Sequence, residues 1–103
     1  MIRPNQKLTG VLKGRVLESF EAAADGFVLR FADRSTMHIK TTAPVAESTI
    51  SEFYTAAVVH VRQHDTNLAL EFDSRESSLL LQTSEPTASV LIRDANGSLE
   101  YAD

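Results

Sequence analysis

Apolar and polar residues alternate along much of this chain, a pattern that places successive side chains on opposite faces of a β-sheet. Residues 27–31 (Phe-Val-Leu-Arg-Phe) put apolar side chains at the odd positions, and residues 37–41 (Met-His-Ile-Lys-Thr) alternate in the same way. Between them, residues 33–35 (Asp-Arg-Ser) have the composition of a turn. The segment therefore predicts a β-hairpin.

A second hairpin of the same design is predicted further along the chain. Residues 68–72 (Leu-Ala-Leu-Glu-Phe) alternate, residues 73–76 (Asp-Ser-Arg-Glu) form a turn, and residues 79–83 (Leu-Leu-Leu-Gln-Thr) follow as a strand. Another β-like stretch precedes each hairpin, at residues 16–20 and 58–62. The chain thus predicts two three-stranded units.

The two units align with each other when one extra residue is allowed in the second. This predicts an internal duplication of units 14–44 and 57–86. Convergence is the alternative, because any two amphipathic hairpins share alternating apolar residues and polar turns. Both units end on a proline, which cannot donate to a strand ladder. The aligned pairs are Leu29 with Leu70, Phe31 with Phe72, Arg34 with Arg75, Thr41 with Thr83 and Pro44 with Pro86.

One short helix is predicted between the units. Its apolar residues recur near the helical period, and Ser48, Thr49 and Glu52 supply a capping arrangement. At the N-terminus, Leu8, Leu12 and Val16 fit a helix, but Gly10 and Gly14 oppose one, so residues 8–17 are interpreted as a strand. The apolar residues of the predicted helix are Val45, Ile50, Phe53, Tyr54 and Ala57.

The last part of the chain predicts one more hairpin. Residues 90–93 form a strand, and residues 94–97 (Asp-Ala-Asn-Gly) form a turn, since Asn-Gly tolerates a positive φ. Together these elements predict one mainly β domain over residues 1–103, with α+β as the alternative class. The expected architecture is a bent antiparallel sheet or a small barrel-like roll, built from two β-hairpin units joined by one short helix. A β-sandwich is a further alternative for the architecture.

Composition narrows the function classes. The 103 residues include no Cys, which excludes disulfides and thiol chemistry and suits a reducing cytoplasm. The 14 acidic and 10 basic side chains form no long block of one sign, which argues against a nucleic-acid partner. Lys7, Lys13 and Arg15 are interpreted as a solvated face. The longest apolar stretches, residues 56–59 and 79–81, are too short to cross a membrane.

Candidate chemical groups are few, and no catalytic residue, metal site or cofactor is predicted. His60 and His64 resemble a metal pair, but on a strand they stand about 13 Å apart and lack a third ligand. The alternative for both is a surface strand followed by a turn. Arg34 and Arg75 occupy matching turns and would bind an anion or an acidic partner; otherwise they are exposed turn residues.

These observations favour a non-enzymatic protein-interaction module whose exposed sheet face or edge meets another protein or a second copy of the chain. The alternative is a small-ligand-binding β-roll, or a minor enzyme with a shallow or intersubunit site. That pocket would be lined by Phe27, Phe31, Phe72 and Tyr101, unless these aromatic residues form the core.

Overall fold

Strands dominate the structure, a computed structural model that describes residues 3–42, 45–86 and 88–102, with the backbone alone for residues 3 and 4. The described residues form nine strands and two helices, which confirms the mainly β class. In chain order the elements are β1 (Arg3–Pro4), α1 (Gln6–Leu12), β2 (Leu17–Ala23), β3 (Gly26–Phe31), β4 (Thr36–Lys40), α2 (Glu47–Ser51), β5 (Val58–His64), β6 (Asn67–Phe72), β7 (Leu79–Gln82), β8 (Val90–Arg93) and β9 (Leu99–Ala102).

The strands form two antiparallel sheets. One has four strands in the order β1-β5-β6-β7, and the other has five in the order β2-β3-β4-β8-β9. Apolar side chains from both sheets pack into one buried cluster. Single-residue bridges join the sheets at two corners, Val16 to Ala57 and Thr41 to Thr83. The described strands therefore form two bent-together antiparallel sheets, as the predicted roll requires, and they do not close into a barrel.

The two predicted units, β2-β3-β4 and β5-β6-β7, share local irregularities as well as strand order. Each first strand contains a bulge, after Leu17 in β2 and after Val58 in β5. Each is entered through a residue with left-handed backbone, Gly14 at φ 89° and Thr55 at φ 72°. This matched geometry agrees with a duplication and with convergence alike, so the duplication stays a prediction.

Reciprocal backbone hydrogen bonds join the units where β2 and β5 begin. Gly14 N donates to Val58 O at 2.8 Å, and Thr55 N donates to Leu17 O at 2.8 Å. Leu17 N donates to Ala56 O at 3.0 Å, and Val58 N donates to Arg15 O at 2.9 Å. Each unit thus supplies the same donors and acceptors to the other.

The strand predicted over residues 8–17 was wrong for its first part, which forms α1. The Asn5 side chain caps this helix by accepting from Leu8 N at 3.0 Å. Leu8 and Leu12, one helical turn apart, are both fully buried. The glycines do not oppose the helix, because Gly10 has open space around it and Gly14 lies beyond the helix end.

The helix predicted between the units is confirmed as α2, but it is shorter than the apolar spacing indicated. The predicted cap was wrong, since Ala46 is the N-cap residue and makes no side-chain capping bond. Ile50 and Phe53 anchor this region in the core, and the Phe53 ring lies 4.9 Å from the Phe72 ring between centroids. Pro86 follows β7 as predicted, whereas Pro44 lies outside the described residues.

The matched core positions of the two units allow a stability test. Phe31 and Phe72 are 2% and 3% exposed, so Phe31→Ala and Phe72→Ala should each lower the free energy of unfolding by about 3 to 5 kcal/mol. Urea denaturation measures the change, with Leu80→Ala as a control because Leu80 is 67% exposed. Losses under about 1 kcal/mol in both phenylalanine variants would refute the core assignment.

A second test uses the two left-handed entry residues. Thr55 bears a β-branched side chain at φ 72°, so Thr55→Gly should stabilise the fold by about 1 kcal/mol. Gly14→Ala should destabilise it by a similar amount, about 1 kcal/mol, through backbone strain alone, since an added Cβ meets no atom within 4 Å. Thermal unfolding of both variants checks the opposite signs, and equal signs would contradict the matched roles.

Candidate functional site

The two histidines singled out from the sequence both lie on β5. Nε2 of His60 is buried and has no hydrogen-bond partner, whereas the exposed His64 pairs with Asp65 at 3.4 Å between Nε2 and Oδ2. Over residues 3–42, 45–86 and 88–102, no three His, Asp or Glu side chains are grouped in a way that could hold a metal ion. The strand geometry thus gives these histidines separate surroundings.

Arg34 and Arg75 lie in the two hairpin turns, but the turns are not equivalent in detail. Arg34 itself adopts the left-handed conformation at φ 72°, whereas in the second turn Ser74 does so at φ 57°. The longer connection between β6 and β7 shifts the second turn. Arg75 donates from Nε to Glu52 O at 2.8 Å and from Nη2 to Tyr54 O at 3.2 Å, which fixes the segment after α2.

The basic N-terminal face predicted from Lys7, Lys13 and Arg15 was wrong at Arg15. Its side chain is only 14% exposed and forms ion pairs with Glu100 and Asp33. Burial of a guanidinium requires such charged partners. Arg15 therefore ties β9 to the entrance of β2 and belongs to the framework of the protein.

The aromatic pocket considered from the sequence does not form. Phe27, Phe31, Phe72 and Tyr101 all belong to the buried cluster, so they fill the core. Cavities instead lie on the surface, with volumes of about 230, 260 and 330 Å³. These are at or below the lower end of the roughly 300 to 1,000 Å³ typical of ligand pockets.

The cavity of about 260 Å³ lies on the outer side of β4 and β8, lined in part by His38, Lys40 and Leu91. Nε2 of His38 lies 3.0 Å from Oδ1 of Asp25, and this hydrogen bond is the main reason that the pKa of Asp25 is lowered. Ser89 also lines the cavity, but its hydroxyl donates to Glu85 O at 2.9 Å. This arrangement gives a polar pair beside a small apolar recess.

The outer side of β7 is a sheet edge that is free around Leu80. Thr83 N donates to Thr66 O at 2.7 Å, toward the β6 side. Because backbone groups alternate in direction along a strand, those of Leu80 and Gln82 point away from β6. The Thr41–Thr83 bridge lies on this outward side, where Ser84 N donates to Lys40 O at 2.9 Å and the C=O of Gln82 faces Thr42. The edge thus offers the N–H and C=O of Leu80 and the N–H of Gln82.

The corresponding edge of the first unit is occupied. Lys40 ends β4 as Gln82 ends β7, and each is followed by a threonine of the Thr41–Thr83 bridge. Lys40 N donates to Ser89 O at 2.9 Å, and β8 continues the pairing along β4 with Leu91 opposite His38. The free edge of β7 is therefore the place where the second unit lacks a counterpart of β8.

The side chains of β7 are apolar apart from Gln82. Leu80 is 67% exposed and lies on the outer face opposite Ala69. The outer strands β2 and β9 contain charged residues, which are a common protection of free edges. These are Glu18 and Glu21 in β2 and Glu100 in β9.

Sequence reasoning predicted the strand but not its exposed edge. The signal was the run of three leucines, because Leu80 interrupts the alternation at a position that His38 fills in the first unit. No family model, curated protein or solved structure matches the chain. The functional interpretation therefore depends on the geometry of the described residues.

The Asp25–His38 pair predicts a pH dependence. A lowered carboxyl pKa adds stability that is present above the ordinary Asp pKa of about 3.9 and is lost as the pH falls through the lowered value. His38→Ala should therefore move the Asp25 titration midpoint upward, which NMR of the side-chain carboxyl measures. An unchanged midpoint would show that the hydrogen bond does not control this group.

Proposed function

We propose that this protein is a non-enzymatic interaction module that binds a partner by adding a strand to the free edge of β7. The observation that carries the proposal is the outward backbone of Leu80, together with the outward N–H of Gln82, beside the exposed Leu80 side chain. Its setting would be the cytoplasm, whose reducing conditions suit a chain without cysteine. No helix within the described ranges is long and apolar enough to cross a membrane.

Strand addition uses two kinds of contact, and β7 offers both. Main-chain hydrogen bonds to the edge supply affinity, and alternate side chains of the added strand supply specificity. Leu80 provides an N–H and a C=O and Gln82 provides an N–H, while the exposed Leu80 side chain provides an apolar contact. An antiparallel partner strand with an apolar residue beside Leu80 would reproduce what β8 does for β4.

The other free edges are less suited to this role. β2 is also an outer strand, but Glu18 and Glu21 give it two negative charges. A cavity of about 230 Å³ separates part of β2 from Val45, so a partner there would meet a neighbouring loop. Since charge on an edge opposes unspecific pairing, the uncharged β7 is the favoured strand acceptor.

A peptide titration tests the proposal. The probe is a synthetic peptide of residues 89–94, which includes β8, added to the isotopically labelled full chain. The backbone amide signals of Leu80 and Gln82 should shift, because the peptide would pair with β7 as β8 pairs with β4. Leu80→Pro should abolish these shifts while keeping the fold, since the lost N–H points away from β6.

The matched control is Leu99→Pro, which changes an exposed leucine on the outer strand β9 and should leave the Leu80 and Gln82 shifts intact. No shift at these amides up to millimolar peptide would contradict strand addition at β7. Amide shifts confined to β2 would instead indicate that the peptide binds at the edge of β2.

A small-ligand function is the second candidate, and the cavity beside His38 favours it. Lys40 and the Asp25–His38 pair lie at one side, and Leu91 and Ala102 supply apolar surface. The volume of about 260 Å³ suits only a small molecule, such as a short carboxylate with an apolar body. Ligand-induced shifts at Leu91 and Ala102, with β7 unaffected, would support this alternative.

A further inference from the structure

We infer that the outer face of the five-stranded sheet is a second interaction surface, which binds an acidic segment of another protein that carries an apolar residue. This surface is independent of strand addition at β7, because it lies on the other sheet and uses side chains in place of a backbone edge. Three features support it: an apolar row across the strands, cations without carboxylate partners on both sides of that row, and a surface cavity at each end of the face.

The apolar row crosses the middle of this face. Strand register places four side chains next to one another on β3, β4, β8 and β9, namely Val28, His38, Leu91 and Ala102. The residue before each of them is buried in the core, so these four side chains lie on the outer side of the sheet. Val28 and Leu91 are half-buried. The row is therefore an apolar strip that still reaches solvent.

Positive charges lie on both sides of the row. On the side of the β3–β4 turn, Arg30 lies opposite Thr36, and Thr36 lies opposite Arg93. On the other side, Lys40 ends β4. Thr36 and Lys40 are four residues apart on one strand, so Arg93 and Lys40 stand on the same face, separated by about 13 Å along the strands.

Three of the cations have no carboxylate partner. The side chains of Lys40 and of Arg34, in the β3–β4 turn, form no hydrogen bond or ion pair with residues 3–42, 45–86 or 88–102. Arg93 donates to Gly97 O at 2.9 Å, which is a neutral acceptor. These side chains can therefore receive carboxylates from a partner without breaking an existing ion pair.

Two of the carboxylates on this face are already engaged. Glu21 pairs with Arg30, and Oδ1 of Asp25 lies 3.0 Å from Nε2 of His38. Glu18, in the bulged part of β2, is a further carboxylate at the turn end of the face. The charge available to a partner is therefore mainly positive, on a chain whose net charge is −4.

Surface cavities lie at opposite ends of the face. The cavity of about 260 Å³ has Lys40 in its lining, and the cavity of about 330 Å³ has Arg30 and Arg34. Both volumes lie near the lower end of the range for ligand pockets. Each cavity thus suits an acidic side chain of a longer segment better than a complete ligand.

The apolar row favours a protein over a nucleic acid as the acidic partner. Sheets that bind single-stranded nucleic acids stack bases on exposed aromatic side chains. This face offers Val28 and Leu91, whereas the phenylalanines of β3 and the tyrosine of β9 are buried. In an extended segment, acidic residues four positions apart span about 13 Å, the separation of Lys40 and Arg93 along the strands. An apolar residue between them would then lie beside Leu91.

An NMR titration of the isotopically labelled full chain tests this surface. The probe is the blocked peptide Gly-Asp-Ser-Leu-Ser-Asp-Gly, which holds two carboxylates four positions apart around one leucine. The backbone amides of His38 and Leu91 should shift, and added salt should weaken binding because the cations are exposed. Replacing both aspartates of the peptide by asparagine should weaken binding by about tenfold.

Variants of the chain test the two sides of the row separately. Lys40→Gln and Arg93→Gln should each weaken peptide binding by about threefold, and the double variant by about tenfold. Both residues are exposed, so the fold should be retained. Lys13→Gln is the matched control, since Lys13 is an exposed cation at the end of α1. It should leave the affinity unchanged.

Several outcomes would overturn the inference. These are no shift at His38 or Leu91 up to millimolar peptide, and equal binding of the asparagine peptide. Tighter binding of an eight-residue oligothymidylate at the same amides would assign the face to nucleic acid instead. Shifts confined to Leu91 and Ala102 that Arg93→Gln leaves unchanged would indicate a small-ligand cavity. Leu80→Pro should not alter this titration, so its failure would leave strand addition at β7 to its own test.

Discussion

Four backbone hydrogen bonds connect the starts of β2 and β5, and the arrangement of the other strands depends on them. They exist because Gly14 and Thr55 turn the chain through left-handed φ values just before each strand. At Gly14 that conformation costs little, whereas Thr55 pays the steric cost of a Cβ, which a β-branched residue rarely tolerates. The structure retains this strain because each unit completes the other's first strand.

The junction leaves each unit with outer edges that the rest of the chain covers unequally. The N-terminal segment covers β5, where Asn5 N donates to Val61 O and Val61 N donates to the Thr9 hydroxyl, both at 2.9 Å. The C-terminal hairpin of β8 and β9 covers β4. Both extensions are single, whereas the core is built from two similar units. The N-terminal segment and the C-terminal hairpin thus cover β5 and β4, and no further strand covers β7 at Leu80.

Local patterns predicted the hairpins, because side-chain alternation and turn composition act between neighbouring residues. The confirmed strands around Leu29 and Leu70 are of this kind. The helix α1 was missed because the low helix propensity of Gly10 and Gly14 was taken to exclude a helix. The Asn5 cap and the burial of Leu8 and Leu12 stabilise the helix despite these glycines. The free edge could not be predicted, since it depends on β8 pairing with β4, and no local signal specifies that choice.

The energetics of edge pairing explain why such a site would act reversibly. Exposed backbone groups are already hydrated, so each new hydrogen bond contributes only about 1 kcal/mol net, and the three at Leu80 and Gln82 about 3 kcal/mol. Covering the exposed part of the Leu80 side chain adds about 1 to 2 kcal/mol. Association costs roughly 4 to 15 kcal/mol in lost freedom, so these terms nearly cancel. Contact along β7 alone therefore gives weak pairing that responds to concentration, and tight binding would require side-chain contacts beyond the strand.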